Sequence, residues 1–209
     1  MEPTLEPEPA VASVIAGERL PLLRRFTRSL ADQGEERGLI GPLELPRLWT
    51  RHVLNSALVA PLLRPGVVGD VGSGAGLPGL VLGILRPDVR FVLIEPMERR
   101  VTWLHEQIEG LELENVSVLR ARAEEVELPE PLDQVTARAV SSLSKLIPIT
   151  APLLRSGGEL VLLKGINAEK EIDAAAKQIR RFRLSPPEVI VLGDGVLSEA
   201  TRVVRATVG

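Results

Sequence analysis

Residues 67–80, VVGDVGSGAGLPGL, constrain this chain more than any other segment. They combine an apolar run, an acid and a glycine-rich turn that opens a helix. Gly72, Gly74 and Gly76 lack the Cβ atoms that would keep a ligand away from the backbone. They also permit the positive φ angles that a sharp strand-to-helix turn requires. The segment therefore predicts a nucleotide-type cofactor cradle at the carboxyl end of a buried strand.

Spacing alone does not choose the cofactor, because Gly74-Ala75-Gly76-Leu77-Pro78-Gly79 also satisfies the dinucleotide pattern G-x-G-x-x-G. Asp70 shifts the balance. A carboxylate two residues before the first glycine would repel a pyrophosphate at short range, whereas S-adenosylmethionine brings an ammonium and a sulfonium that it would attract. Glu95 closes the apolar run at residues 90–95, about 20 residues beyond the turn, where an acid can take both ribose hydroxyls. Its alternative is a solvated acid opening the helix after Pro96. A third strand-like run, residues 116–119, leads into Arg122-Ala123-Glu124-Glu125, which a doubly wound sheet would place beside the adenine.

The remainder of the chain fits an α/β fold with a mostly parallel sheet. Strand-like runs at 67–71, 91–95, 116–120, 132–138 and 158–164 alternate with helical patterns at 77–86, 97–109, 142–154 and 168–181. Such alternation predicts parallel strands covered by helices on both faces. Runs at 187–192 and 201–207, with no helix between them, predict an antiparallel edge hairpin. Upstream, residues 11–36 read as helix broken near Gly17 and Pro21, and 48–63 as a further helix starting after Pro46. The expected organisation is a disordered acidic tail over 1–10 and a single domain over 11–209, with accessory helices at 11–63 and the sheet core at 67–209.

Charge and composition bound the function. The acids of the tail, Glu2, Glu6 and Glu8, equal the whole net charge of −3, so the rest of the chain is neutral and leaves room for a basic face. Arginines far outnumber the four lysines, Lys145, Lys164, Lys170 and Lys177. That balance suits phosphate and base edges, and compositional bias explains it equally well. With 2% aromatic residues and no tyrosine, extensive base stacking is not expected. The absence of cysteine removes thiolate metal sites, disulfides and thiol nucleophiles, and two isolated histidines make no metal site. The longest uncharged run, 71–85, is too short and glycine-rich to span a membrane. The N-terminus lacks the pattern of a secretory signal, so a cytoplasmic protein is expected. No exposed apolar stripe argues for an oligomer, and a monomer is expected.

Further residues lie where chemistry can occur. Arg138 ends the fourth strand on the ligand-bearing edge and is the candidate for a catalytic role; a surface ion pair is its alternative. Lys164 ends the fifth strand, positioned either for a phosphate or to reach solvent. Arg51, His52 and Asn55 precede the first strand, and His105 reads as surface or packing. There is no aromatic-flanked Asn/Asp-Pro-Pro segment to polarise an exocyclic amine. A target atom with a lone pair and no proton, such as guanine N7, needs neither that device nor a thiol.

The segments RHVLNSALVAPLL, VGDVGSGAGLPGL, RPDVRFVLIEPMERRVTWL, ARAEEV, ARAVSSLSKL and LLKG, in this order from about Leu43 to Val208, closely resemble the successive motifs of the RsmG (GidB) family, bacterial methyltransferases that make 7-methylguanosine in 16S ribosomal RNA. The resemblance implies a Rossmann-like methyltransferase fold, S-adenosyl-L-methionine as cofactor with S-adenosyl-L-homocysteine as product, and 16S ribosomal RNA or the small subunit as partner. It carries cofactor contacts to Gly72, Leu77, Ala123, Glu124 and Arg138; Asp70, Gly74 and Glu95 join them on the physical argument above. Arg51, His52, Ser141, Ser142 and Lys164 become candidates for the RNA-facing side. One departure is Asn55, where many relatives carry Asp. A small-molecule methyltransferase of the same fold is the alternative activity.

Overall fold

A computed structural model describes residues 4–209. Its centre is a seven-stranded sheet formed by β1 (Val67–Val71), β2 (Arg90–Ile94), β3 (Val116–Leu119), β4 (Leu132–Arg138), β5 (Leu154–Lys164), β6 (Glu188–Leu192) and β7 (Thr201–Thr207). The strands lie in the order β3-β2-β1-β4-β5-β7-β6. Strands β3, β2, β1, β4 and β5 are parallel, and β7 runs antiparallel between β5 and β6, as the edge-hairpin expectation requires. The chain leaves β1 toward β2 and β3, then returns to β4 on the other side. This reversal opens a crevice at the carboxyl ends of β1 and β4.

Burial on both faces explains why the central strands read as continuous apolar runs. All five residues of β1 are buried. On one face, Val68, Phe91, Leu93, Val161 and Val203 pack beneath α1 (Val11–Ala16), α2 (Leu20–Gln33), α4 (Gly79–Leu85) and α5 (Glu98–Leu111). On the other, Val71, Val135, Ala137, Leu160 and Val204 pack beneath α6 (Leu143–Thr150), α7 (Ala168–Ala174) and α8 (Ala176–Arg181). Among the described residues, no helix is long and apolar enough to cross a membrane.

Three expectations need correction. The helix over 48–63 is instead a π-helical turn at Leu48–Leu54, the short α3 (Asn55–Ala57) and a 3-10 turn at Ala60–Leu62. Its apolar spacing is satisfied by core contacts of Leu48, Trp49, Val53 and Leu54 without a regular helix, and Pro61 lacks the N–H that would continue one. The helix over 168–181 breaks at the buried Ala175 into α7 and α8. The tail reading at residues 1–3 lies outside the described residues. From Leu5 onward the segment is fixed: the Glu6 carboxylate accepts from Thr50 N and Oγ1 at 2.9 Å each. Glu8 pairs with Arg24 at 2.6 Å.

Candidate active site at the carboxyl edge of the sheet

The glycine turn after β1 adopts the conformation its composition predicts, with φ of +72° at Gly72, +55° at Gly74 and +91° at Gly76. A Cβ at Gly76 would strike Leu80 at 2.4 Å, and one at Gly72 would meet Val140 at 2.8 Å. At Gly74 the nearest atom would be Gly72 O at 3.7 Å, so the space beside that residue is open. Gly72 N donates to Ile94 O at 2.9 Å, and Trp103 Nε1, from α5, donates to Ala75 O at 3.0 Å. The turn is thus braced from β2 and from the helix beneath it.

Asp70 lines neither of the clefts on this edge. Strand alternation puts its side chain on the face shared with Val68 and covered by α4, and it is fully buried. Its carboxylate accepts from Thr136 Oγ1 and from Gly79 N, both at 3.1 Å, tying the strand end to the start of α4. Burial pushes the carboxyl up to about 6, with these bonds and the Arg138 charge pulling the other way. The expected direct attraction between Asp70 and a cationic ligand is therefore corrected: this acid fixes the turn from below.

Glu95 lies under the same edge. Oε2 accepts from Gly74 N and Oε1 from Met97 N, both at 2.9 Å, and Arg100 Nη1 stands 3.8 Å from Oε2. Glu95 is 1% exposed and sits behind the turn, outside the lining of the two clefts on this edge, with a second acceptor direction left on each oxygen. Beyond β3, the turn at 122–125 places a buried Ala123 and an exposed Glu124 on the same sheet edge.

Two clefts open on this edge. The first, about 330 Å³, runs between the glycine turn, with Leu77, and the loop at residues 39–44; Arg100 and Arg138 also line it. Among the described residues, Arg100 Nε is buried without a hydrogen-bond partner. The second, about 410 Å³, is lined by Arg51, His52, Asn55, Lys164, Glu171 and Glu199 among others. His52, Arg138 and Ala139 line both clefts and form the wall where they meet.

Arg138 is held in that wall. Its Nη2 lies 3.1 Å from His52 Nδ1, and Nη1 donates to Arg51 O at 3.4 Å. Burial lowers its pKa to about 10, opposed by Asp70 and Glu44, so it remains a cation at neutral pH. The surface ion-pair alternative does not apply.

The proposed RNA-facing set is only partly assembled. Arg51 pairs with Glu199 at 2.5 Å on the rim. Lys164 lines the second cleft with its side chain 8% exposed, donates to Ser141 O at 2.7 Å and pairs with Glu171 at 2.7 Å. Ser141 contributes its carbonyl to that contact, and Ser142 Oγ lies 3.1 Å from Ser144 Oγ at the start of α6; neither serine lines a cleft. Glu44 and Arg100, which sequence reasoning missed, do line the first cleft. His105 is exposed on α5.

The fold is similar to that of solved structures. The M. jannaschii TYW2 in complex with AdoMet matches with a TM-score of 0.58 and 20% identity, over 75% of this chain and 74% of that chain. Strand order and likeness together define a Rossmann-like fold. Within that class, residues 19–194 match the family model GidB, described as rRNA small subunit methyltransferase G. The ribosomal RNA small subunit methyltransferase G of Leifsonia xyli subsp. xyli is 70% identical over the full length of both chains. That of Clavibacter michiganensis subsp. michiganensis is 67% identical, covering 98% of this chain and 97% of its own. The chain belongs to the rRNA small subunit methyltransferase G family.

Proposed function

We propose that this protein transfers a methyl group from S-adenosylmethionine to N7 of a guanosine in the 16S ribosomal RNA of the small subunit, with the first cleft holding the cofactor and the second the target nucleoside. The observation that carries this reading is the shared wall of His52, Arg138 and Ala139, which brings two ligand-sized spaces into contact at the switch point. The residues of the first cleft fit the cofactor: the turn leaves open space at Gly74, and a buried guanidinium nitrogen of Arg100 lacks a partner.

When bound, the cofactor supplies a methyl group on a cationic sulfur. The remaining work belongs to the chain. Gly72, Gly74 and Leu77 shape the floor of the cleft, and Glu95 offers its remaining acceptor directions to ribose hydroxyls. Ala123 and Glu124 flank the adenine side. Asp70 acts indirectly, by fixing the turn and by its field on Arg138. Arg138 stands where cofactor and target base meet. Guanine N7 carries a lone pair and no proton, so no general base is needed. Holding donor and acceptor at near-attack distance can lower a barrier by roughly 7–11 kcal/mol in favourable cases. Arg51 and His52 face the RNA at the second cleft, while Lys164, Ser141 and Ser142 hold or flank its far side. We further read residues 11–209 as a single catalytic domain acting as a cytoplasmic monomer.

Deleting the gene tests this reading in the cell. 7-methylguanosine disappears from one position of 16S ribosomal RNA, returns with the wild-type gene and does not return with a folded Arg138→Ala variant. A 16S ribosomal RNA with unchanged 7-methylguanosine after deletion overturns it.

A further inference from the structure

Three side chains from three parts of the chain meet in the wall between the clefts. Glu44 comes from the loop after α2, His52 from the π-helical turn and Arg138 from the end of β4. His52 Nε2 lies 2.5 Å from Glu44 Oε2, and His52 Nδ1 lies 3.1 Å from Arg138 Nη2. Glu44 is itself fixed through Oε1 by Arg47 Nη2 at 2.5 Å. A guanidinium has donors only, so Nδ1 accepts and carries no proton; Nε2 then carries the hydrogen and donates it to Glu44. The imidazole is neutral, of one tautomer, with both nitrogens engaged.

We propose that His52 is a positioning residue for Arg138, with Glu44 selecting the tautomer that lets the imidazole accept from the guanidinium. This inference rests on the methyl-transfer reading above. Of the three residues that line both clefts Arg138 is the charged one, and a free arginine side chain has many rotamers. A fixed acceptor at Nδ1 restricts it to one direction along the shared wall. His52 then contributes by orienting another group, not by taking a proton. Mid-helix π-turns recur at functional sites, and the turn at Leu48–Leu54 gives His52 its place here.

The electrostatics agree. The charged groups facing His52 are Glu44 from the loop, Arg51 from its own turn and Arg138 from β4; Arg47 stands behind Glu44 and Asp70 behind Arg138. Burial lowers the His52 pKa below 6.5; the Glu44 hydrogen bond opposes that shift, and the Arg138 and Arg51 charges reinforce it. Protonation would set an Nδ1–H donor against the donors of Arg138 and break the contact.

Two measurements test the proposal. Asn can place an amide oxygen near the position of Nδ1, and Gln can place an amide N–H near that of Nε2. The loss of kcat/KM for methyl transfer to unmodified small subunits is therefore roughly tenfold or more greater in His52→Gln than in His52→Asn, the scale of one lost hydrogen bond to a charged group. Equal losses in the two variants, with wild type active, overturn the proposal; an inactive wild type would instead overturn the methyl-transfer reading. NMR of the protein labelled with 15N-histidine judges the arrangement without any turnover, and only His52 and His105 contribute resonances. The expected result is an Nε2–H tautomer for His52 with a midpoint below 6.5 that falls further in Glu44→Gln. An Nδ1–H tautomer, or a midpoint that Glu44→Gln leaves unchanged, overturns it.

Discussion

Gly74 donates its backbone N–H to Glu95 Oε2 at 2.9 Å, joining the middle of the glycine turn to the end of the neighbouring strand. Through the Met97 amide on its other oxygen, the same carboxylate also sets the start of the segment leading into α5. One acid therefore fixes both walls around the expected ribose. Glu95→Ala should weaken S-adenosylmethionine binding by about 1.5–3 kcal/mol in calorimetry, the range for a hydrogen bond to a charged group. It should also lower stability, since two part-buried N–H groups lose their acceptor. Glu95→Gln, which keeps one acceptor oxygen, should lie between. Unchanged cofactor affinity in Glu95→Ala would remove the ribose assignment.

The turn separates folding from binding at two glycines. Both have positive φ, so an alanine costs roughly 1–2 kcal/mol of backbone strain at either. At Gly76 the added methyl also runs into Leu80, whereas at Gly74 it enters open space beside the first cleft. Gly76→Ala should mainly lower the unfolding midpoint, and Gly74→Ala should lower cofactor affinity more than stability. Chemical denaturation and calorimetry on the two variants read the contrast directly.

Asp70 gives a pH signature of stability. Its folded-state pKa of about 6 lies above the ordinary 3.8, so the folded protein holds this proton more tightly than the unfolded chain. The contribution is fully present below pH 3.8 and lost as pH rises to about 6, an effect on the order of 3 kcal/mol for a shift of this size. Asp70→Asn does not titrate; its one amide oxygen can accept from Gly79 N while its amide N–H donates to the Thr136 hydroxyl, which can turn to accept. The stability of this variant relative to wild type should therefore rise between pH 4 and 7 in urea titrations. A pH-independent difference would contradict a raised carboxyl at this position.

Arg51, on the rim of the second cleft, should separate RNA affinity from cofactor affinity. Arg51→Ala should weaken binding to small-subunit RNA and reduce its salt dependence, because each phosphate contact releases counterions. Cofactor affinity should stay at the wild-type value. A filter-binding salt series with parallel calorimetry checks both parts.

The readable elements were those fixed by local pattern. Strands β4 and β7 fall where their apolar runs end, and the glycine turn has the φ values its composition demands. The direction of Asp70 is also encoded: it shares strand parity with Val68, on the face that α4 covers, although an acid just before a glycine turn sits at the ligand-bearing edge. Lys164 was harder. Its position at the strand end was plain, but its partners, Ser141 and Glu171, come from the loop before α6 and from α7. The chain of Glu44, His52 and Arg138 carries no periodic signal, since a loop, a π-helical turn and a strand end meet only after the sheet and N-terminal segment have packed. Sequence periodicity reports which face is buried; it does not report which polar groups converge across elements.

The central claim is most directly tested by methyl transfer from labelled S-adenosylmethionine to unmodified small ribosomal subunits and to their deproteinised RNA, followed by nucleoside analysis. The account predicts label in 7-methylguanosine with wild-type protein and its loss with Arg138→Ala. Folded, cofactor-binding protein that labels neither preparation, or that labels a different nucleoside, would contradict it.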